Sequence, residues 1–440
     1  MQAFALADFG GFSNVMQMNV ELNGWKWSGL RSAHVVFLAS LTAFAFMAGS
    51  PLYGQSGKKI ILGTIEAELK KKQMPLDLGK TPKSLARLIA KAVSVHGGLR
   101  LAPPNQSRYS VYFSPLGGNQ VKVEISKGAS DLPMKLFKSF VVEGNTIDHA
   151  VLKGCDRMVE AILRIPGFFS GRLCYLSKLS GSKEIFVSNS LMTSAHPQTS
   201  FKKITFNPSW DNTGKGIFFT SNRKVFNNIE YLDIASRKIS TIANYRGSNL
   251  RAVQNPRNSE VAMILSTSGN PEVWLAATPK SKPKPLTRNK SNESGPCWSS
   301  DGRRLIVTSD SRGKPQLYEV SLSTGKLTRI PTNVSSHCAE ASWNPADPTK
   351  IAFTAAVGGG FQIYEYSFSS RTSRALTGGT NHGMQPCWAN DGRHLFFTER
   401  SSKGSTRLMI LDAELQGSKP VALHGGSFGH CSQASFHYPR

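Results

Sequence analysis

Across the C-terminal two thirds of the chain, short apolar runs alternate with turn residues on a steady beat. Near-copies of one phrase mark it: "PSWDNTGKGIFFTS" (208–221), "PCWSSDGRRLIVTS" (296–309) and "PCWANDGRHLFFTE" (386–399). Each reads as a strand, a tight turn and a second strand with period-two alternation. Gly302 and Gly392 supply the positive φ that such a turn demands. Anchored on the aromatic position, the series runs Trp210, Gln254, Trp298, Trp343, Trp388 and Phe436, in steps of 44, 44, 45, 45 and 48. Repetition at this period marks propellers and solenoids.

A second run starts at Ile217, Val261, Leu305, Ile351 and Leu395, and a third appears as "IEYLDI", "EVWLA", "QLYEV", "QIYEY" and "RLMIL". A short fourth run, such as "RKISTI" or "RALTGG", completes each unit. Ahead of Trp210 stand "RLCYLSK", "EIFVSN" and "FKKITF" with no anchor strand before them, and the last anchor strand, "QASFHYPR", has nothing after it. The pattern predicts that the strand around Phe436 returns to become the innermost strand of the first blade, which closes six blades and removes the open edges. The Trp rings are read as scaffold between blades.

Upstream, "TPKSLARLIAKAVSVHGG" predicts a helix with Thr81 as N-cap, Pro82 at the first helical position, Leu85, Leu88, Ile89, Ala92 and Val93 on one face, and Gly97 as its stop. "YSVYFSP", "QVKVEIS" and "KLFKSFVV" alternate as strands, and 146–166 is a second helix begun by Thr146. The order is close to βαβββα. The fold class is therefore an α/β, mixed-sheet N-terminal domain plus an all-β six-bladed propeller closed by the C-terminal strand. The expected division is a signal peptide over 1–54, with a possible upstream extension, the α/β domain over 55–166 and the propeller over 167–440.

The signal reading rests on "RSAHVVFLASLTAFAFMAGSPLYG": a basic residue, an apolar run of about fourteen and a small-residue exit near Ser50 or Gly54. Met18 is an alternative start, and an uncleaved anchor is the competing interpretation. Export makes disulfides chemically available to the six cysteines. Cys297, Cys338, Cys387 and Cys431 fall on innermost strands too far apart to bridge, so they read as buried hydrophobes. Cys155 and Cys174 stay open.

With 53 Lys plus Arg against 28 Asp plus Glu, the net charge is +25. The cations are scattered, without the aromatic interleaving of single-strand binders, so the charge points to an acidic partner and not to nucleic acid.

The export segment, the domain order, the "IPGFFSGRLCYLSK" junction and the repeated "PCWSSDGR", "PSWDNTGK", "ASWNPADP" and "PCWANDGR" together resemble the TolB family of the Tol-Pal envelope system, over roughly residues 58–440. The third unit, "VQNPRNSE", lacks the Trp and the Asp-Gly turn. The resemblance implies a periplasmic, non-enzymatic scaffold without cofactors, a monomer peripheral to the outer membrane. Such a scaffold would bind the peptidoglycan-associated lipoprotein Pal through the propeller channel face. It would meet an inner-membrane Tol partner, TolA, through the N-terminal segment "QSGKKIILGTIEAELKKKQ", supporting outer-membrane integrity and cell division.

Six residues ahead of their anchors stand His337, His382 and His430, equal offsets that place them on one rim of three consecutive blades. They are the candidate partner contacts at the channel mouth. A divalent-metal site, or loop residues that recur at a repeat position, are the competing readings. Titration near pH 6 would let these residues tune binding.

"GGSFG" (425–429) formally matches a nucleophile elbow, but the strand–turn–helix that the elbow needs has no room in the eleven residues that follow. The remaining alternative function is a propeller lyase or carbohydrate-binding protein using the central channel.

Overall fold

The computed structural model describes residues 73–129 and 132–439; the signal segment and the stretch up to residue 72 lie outside the described residues. A five-stranded mixed sheet opens the described part of the chain. Its strands are β1 (Met74–Asp77), β2 (Leu99–Leu101), β3 (Tyr109–Gly117), β4 (Gln120–Ala129) and β5 (Leu132–Glu143), in the order β2-β1-β3-β4-β5. β1 runs parallel to β2 and β3, and β3, β4 and β5 form an antiparallel meander. Helices α1 (Lys83–Val95) and α2 (Ile147–Leu163) complete the unit. β3 and β4 follow the predicted alternation; β5 does not, its residues 133–139 all being exposed, with Leu136 63% and Phe137 40% open to solvent at the sheet edge, and the three-residue β2 is too short to show a period.

Helix α1 buries Leu85, Ile89, Ala92 and Val93 as its apolar stripe dictates. Its predicted cap is different. Pro82 occupies the N-cap with extended ψ, and Thr81 turns its hydroxyl to β3, accepting from Phe113 N at 3.0 Å and donating to Val111 O at 3.4 Å. A strand neighbour outcompetes the helix for that hydroxyl. Gly97 is no left-handed stop either: the helix ends through an extended His96, and a Cβ at 97 would collide with Asp412 of the propeller. In α2 the predicted cap forms, with Thr146 Oγ1 accepting from His149 N at 3.2 Å.

Six four-stranded antiparallel sheets follow. The closing strand Cys431–His437 pairs with Arg172–Ser177, Phe436 opposite Leu173, and heads the sheet that continues through Glu184–Asn189 and Ala195–Pro197. One element moves relative to the sequence reading. "FKKITF" is no outer strand of blade one but leads into the innermost strand of blade two, Thr205–Trp210, while the outer position of blade one is filled by "AHP". Each remaining anchor opens its predicted hairpin: Trp210 opposes Ile217, Gln254 Val261, Trp298 Leu305, Trp343 Ile351 and Trp388 Leu395. Trp210 and Trp298 donate their indole N–H to carbonyls of the preceding blade, Ser435 O at 3.0 Å and Val253 O at 3.2 Å. The turns at the lower rim are stitched similarly, Asn255 Nδ2 reaching Gly302 O at 2.9 Å and Asn344 Nδ2 reaching Gly392 O at 2.7 Å. Gly302 and Gly392 have φ of 70° and 65°, as the hairpin chemistry requires. All six cysteines are free thiols, Cys155 and Cys174 included.

The two architectures share one core. Leu163, Val159, Ile89 and Ala92 of the helices belong to the same buried cluster as Phe168, Phe169, Leu173, Phe396 and Ile410 of the propeller. At its centre His96 lies 4.6 Å, ring to ring, from His394, and Phe168 packs on both. Asp156 of α2 anchors the junction. It accepts from Phe169 N at 2.6 Å, Ser170 N at 3.0 Å, Ser170 Oγ at 2.5 Å and, from the end of the chain, Tyr438 Oη at 3.1 Å. Burial pushes its carboxyl up to about 6, against the pull of those donors.

Two outcomes follow from this junction. Asp156→Ala strands two buried backbone N–H groups and lowers stability by about 2–4 kcal/mol in urea unfolding, whereas Asp156→Asn keeps an acceptor in place and costs less. Burial, with His394 and Arg393 adding to it, holds His96 well below its ordinary 6.5. The unfolded chain therefore takes up a proton below about pH 6.5 that the folded chain refuses. Stability falls as pH drops through that window, by up to about 1.4 kcal/mol per pH unit for this group, and is insensitive to His96 above it. His96→Phe flattens that slope in melts taken between pH 7 and 5.

Candidate partner-binding face of the propeller channel

The channel wall is set by a backbone irregularity repeated six times. Three residues ahead of each anchor the innermost strand bulges, and the residue there has positive φ: Asn207 (54°), Arg251 (37°), Gly295 (56°), Glu340 (57°), Gln385 (57°) and Gln433 (55°). The bulge breaks the ladder and turns a backbone N–H towards the neighbouring blade. A Thr of the second strand, in "FFT", "VTS" or "AFT", receives it: Thr220 accepts from Arg251 N, Thr308 from Glu340 N, Thr354 from Gln385 N and Thr398 from Gln433 N, at 3.0 to 3.3 Å. Glu340 accepts from Thr354 Oγ1 at 2.8 Å and Gln385 N at 3.1 Å, and Gln433 Oε1 accepts from Asn207 N at 2.6 Å. Sequence reasoning missed this ring. Its signal is the fixed offset from the anchor, masked because the six residue types differ. With one cation and one carboxylate among the six, the ring offers no paired carboxylates for acid–base chemistry.

The three predicted histidines stand at the starts of innermost strands, on one face. His337 immediately precedes Cys338–Trp343, His382 begins His382–Trp388, and His430 immediately precedes Cys431–His437. The structure brings two of them together. Phe361, in the hairpin joining Lys350–Val357 to Gly360–Ser367, lies edge-on to His337 with centroids 5.7 Å apart and 6.0 Å from the His382 ring. Its N–H donates to His382 Nδ1 at 3.2 Å. Gly358 and Gly359, with φ of 63° and 77°, make that hairpin turn, and Gly360 lets the His382 ring lie close to the backbone. His430 stands one blade further round. It is exposed, its Nδ1 accepting from Thr406 N at 3.2 Å and its carbonyl accepting from Lys178 N at 3.1 Å.

Burial lowers His337, with Lys314 adding to the effect and Glu340 opposing it, and burial lowers His382, helped by Arg400. Both are neutral at neutral pH, their titration being displaced downward from the ordinary imidazole value of 6.5. The neighbouring thiols face other partners. Cys338 Sγ lies 3.5 Å from Thr332 Oγ1 and Cys431 Sγ donates to Phe428 O at 3.3 Å, and burial raises both, Cys431 up to about 12. A thiolate ligand is disfavoured at this rim. Among the described residues, no group of three or more His, Cys, Asp and Glu is arranged to hold a metal. The "GGSFG" segment forms a single turn of 3₁₀ helix, Gly426–Phe428, with Ser427 exposed and a strand after it, which is not an elbow.

Residues 159–433 match the family described as the TolB beta propeller domain (PD40). Among curated proteins, the chain is 26% identical over 200 residues to the Protein TolB homolog of Chlorobium luteolum, covering 45% of this chain and 44% of that protein. It is also 26% identical over 173 residues to the Tol-Pal system protein TolB of Bordetella pertussis, covering 39% of each. The matched region thus spans less than half the length of these relatives. Among solved structures, TolB from Acinetobacter baumannii superposes with a TM-score of 0.70 at 17% identity, covering 83% of this chain and 96% of that one, a likeness of fold.

Proposed function

The chain belongs to the TolB β-propeller family, and from that premise we propose that it is a periplasmic, non-catalytic scaffold of the Tol-Pal system. In this reading it docks the peptidoglycan-associated lipoprotein Pal on the face where the innermost strands begin. The observation that carries the reading is the His337–Phe361–His382 group. It sets two neutral imidazoles about an aromatic ring at the mouth of a closed ring, on loops that a stiff scaffold holds in place. The net charge of +25 favours an acidic partner over nucleic acid. A Tol partner of the inner membrane, TolA, would be met by the segment ahead of residue 73, outside the described residues. The scaffold works as a monomer, peripheral to the outer membrane, and through these two contacts supports envelope integrity during division.

Calorimetric titration of purified Pal tests the docking face. His337→Ala with His382→Ala weakens Pal binding by about tenfold or more, the scale of losing a central anchor, while thermal melting shows the ring intact. Unchanged affinity removes the mouth from the interface. Because both imidazoles are lowered, binding by the parent chain stays flat from pH 8 to 6.5 and changes only in more acid solution.

A further inference from the structure

Three consecutive loops on the same face, over blades one and two, repeat a small motif that the docking of a protein at the channel mouth does not use. Each places a basic residue directly before an exposed apolar one: Lys178-Leu179, Lys203-Ile204 and Lys224-Val225-Phe226. Leu179 is 53% exposed, Ile204 52%, Val225 93% and Phe226 48%. Large apolar side chains so open to water, gathered on neighbouring loops, mark a binding surface.

The loops are braced as one platform. Thr205 N donates to Lys183 O at 3.3 Å, Ile204 N to Asn222 Oδ1 at 2.9 Å and Asn222 N to Ile204 O at 3.1 Å. Arg223 lies over the Phe201 ring at 4.2 Å and pairs with Glu230 at 3.3 Å. No acidic residue occurs in segments 178–183, 198–204 or 222–227. The two carboxylates beneath them are buried and engaged, Glu184 by Thr199 Oγ1 and Lys202 N, Glu230 by Arg223 and Ser221. Lys178, Lys202, Lys203 and Lys224 are exposed.

We propose that this platform binds the surface of an anionic lipid bilayer, the apolar tips entering the interface while the lysines meet the headgroups. The shape decides for lipid over an acidic protein. The apolar residues stand on separate loops, each highly exposed and each run directly preceded by a lysine, and a fluid interface accepts such separate tips while long basic side chains reach back to its charged headgroups. The inference does not rest on the Pal reading, whose test concerns His337 and His382 on blades five and six.

The test uses the full chain with large unilamellar vesicles of phosphatidylcholine, with and without phosphatidylglycerol. Sedimentation should show stronger binding to the anionic vesicles that weakens as salt is raised from about 50 to about 500 mM. Val225→Asp with Phe226→Ser, and separately Lys202→Glu, Lys203→Glu and Lys224→Glu combined, each lower the partition coefficient by about tenfold or more. His337→Ala with His382→Ala leaves it unchanged. A Val225→Trp variant reports the position directly: its added emission is quenched by brominated phosphatidylcholine included in the anionic vesicles. An indole at that position that stays unquenched, equal binding of the parent and both charge and tip variants, or capture of a soluble polyglutamate peptide in preference to vesicles would each overturn the proposal.

Discussion

Everything in the propeller depends on one strand pairing between distant ends of the chain, Cys431–His437 against Arg172–Ser177. Without it blade one has three strands and blade six faces water. Bringing such distant segments together costs about 5 kcal/mol of chain entropy, because the cost grows only with the logarithm of loop length. The closing ladder, the Phe436 ring stacked 5.1 Å from Phe396 and the Trp210 indole bond to Ser435 O offset it. Closure also removes the unpaired edges by which an open array of sheets would self-associate.

The clasp is itself clamped. Asp156, on a helix of the α/β domain, binds the turn that leads into the strand Arg172–Ser177 through Phe169 and Ser170, and the tail after the closing strand through Tyr438. A carboxylate carries that duty at the expense of desolvation, which explains its raised pKa, and its hydrogen bonds make the arrangement specific. With His96, Phe168 and His394 filling the contact, the two architectures form one hydrophobic body and not two beads on a linker. Whatever acts on the α/β domain therefore bears on the seam that closes the ring.

A rigid ring presents its loops in fixed relation. At the mouth, the repeated bulges and their Thr acceptors hold neighbouring blades in register, so the His337–Phe361–His382 group and the lysine-tipped loops of blades one and two occupy set positions on a common face.

The repeat was legible because a propeller blade is a local object. The Trp anchors, Asp-Gly turns and alternating runs specify each hairpin from neighbours in sequence, and counting them yields six blades and the need for a closing strand. The helical stripes of α1 and α2 and the Thr146 cap were equally local. What escaped the sequence was decided by contacts between distant segments. Thr81 surrendered its capping role to β3, Gly97 was required by the approach of Asp412, and "FKKITF" joined blade two because its partner strand lay downstream. The equal offsets of His337, His382 and His430 placed them on one rim, yet only the folded hairpin carrying Phe361 joined two of them and left the third apart. Periodicity determines which residues share a face; which of them touch depends on the loops that tertiary packing folds between them.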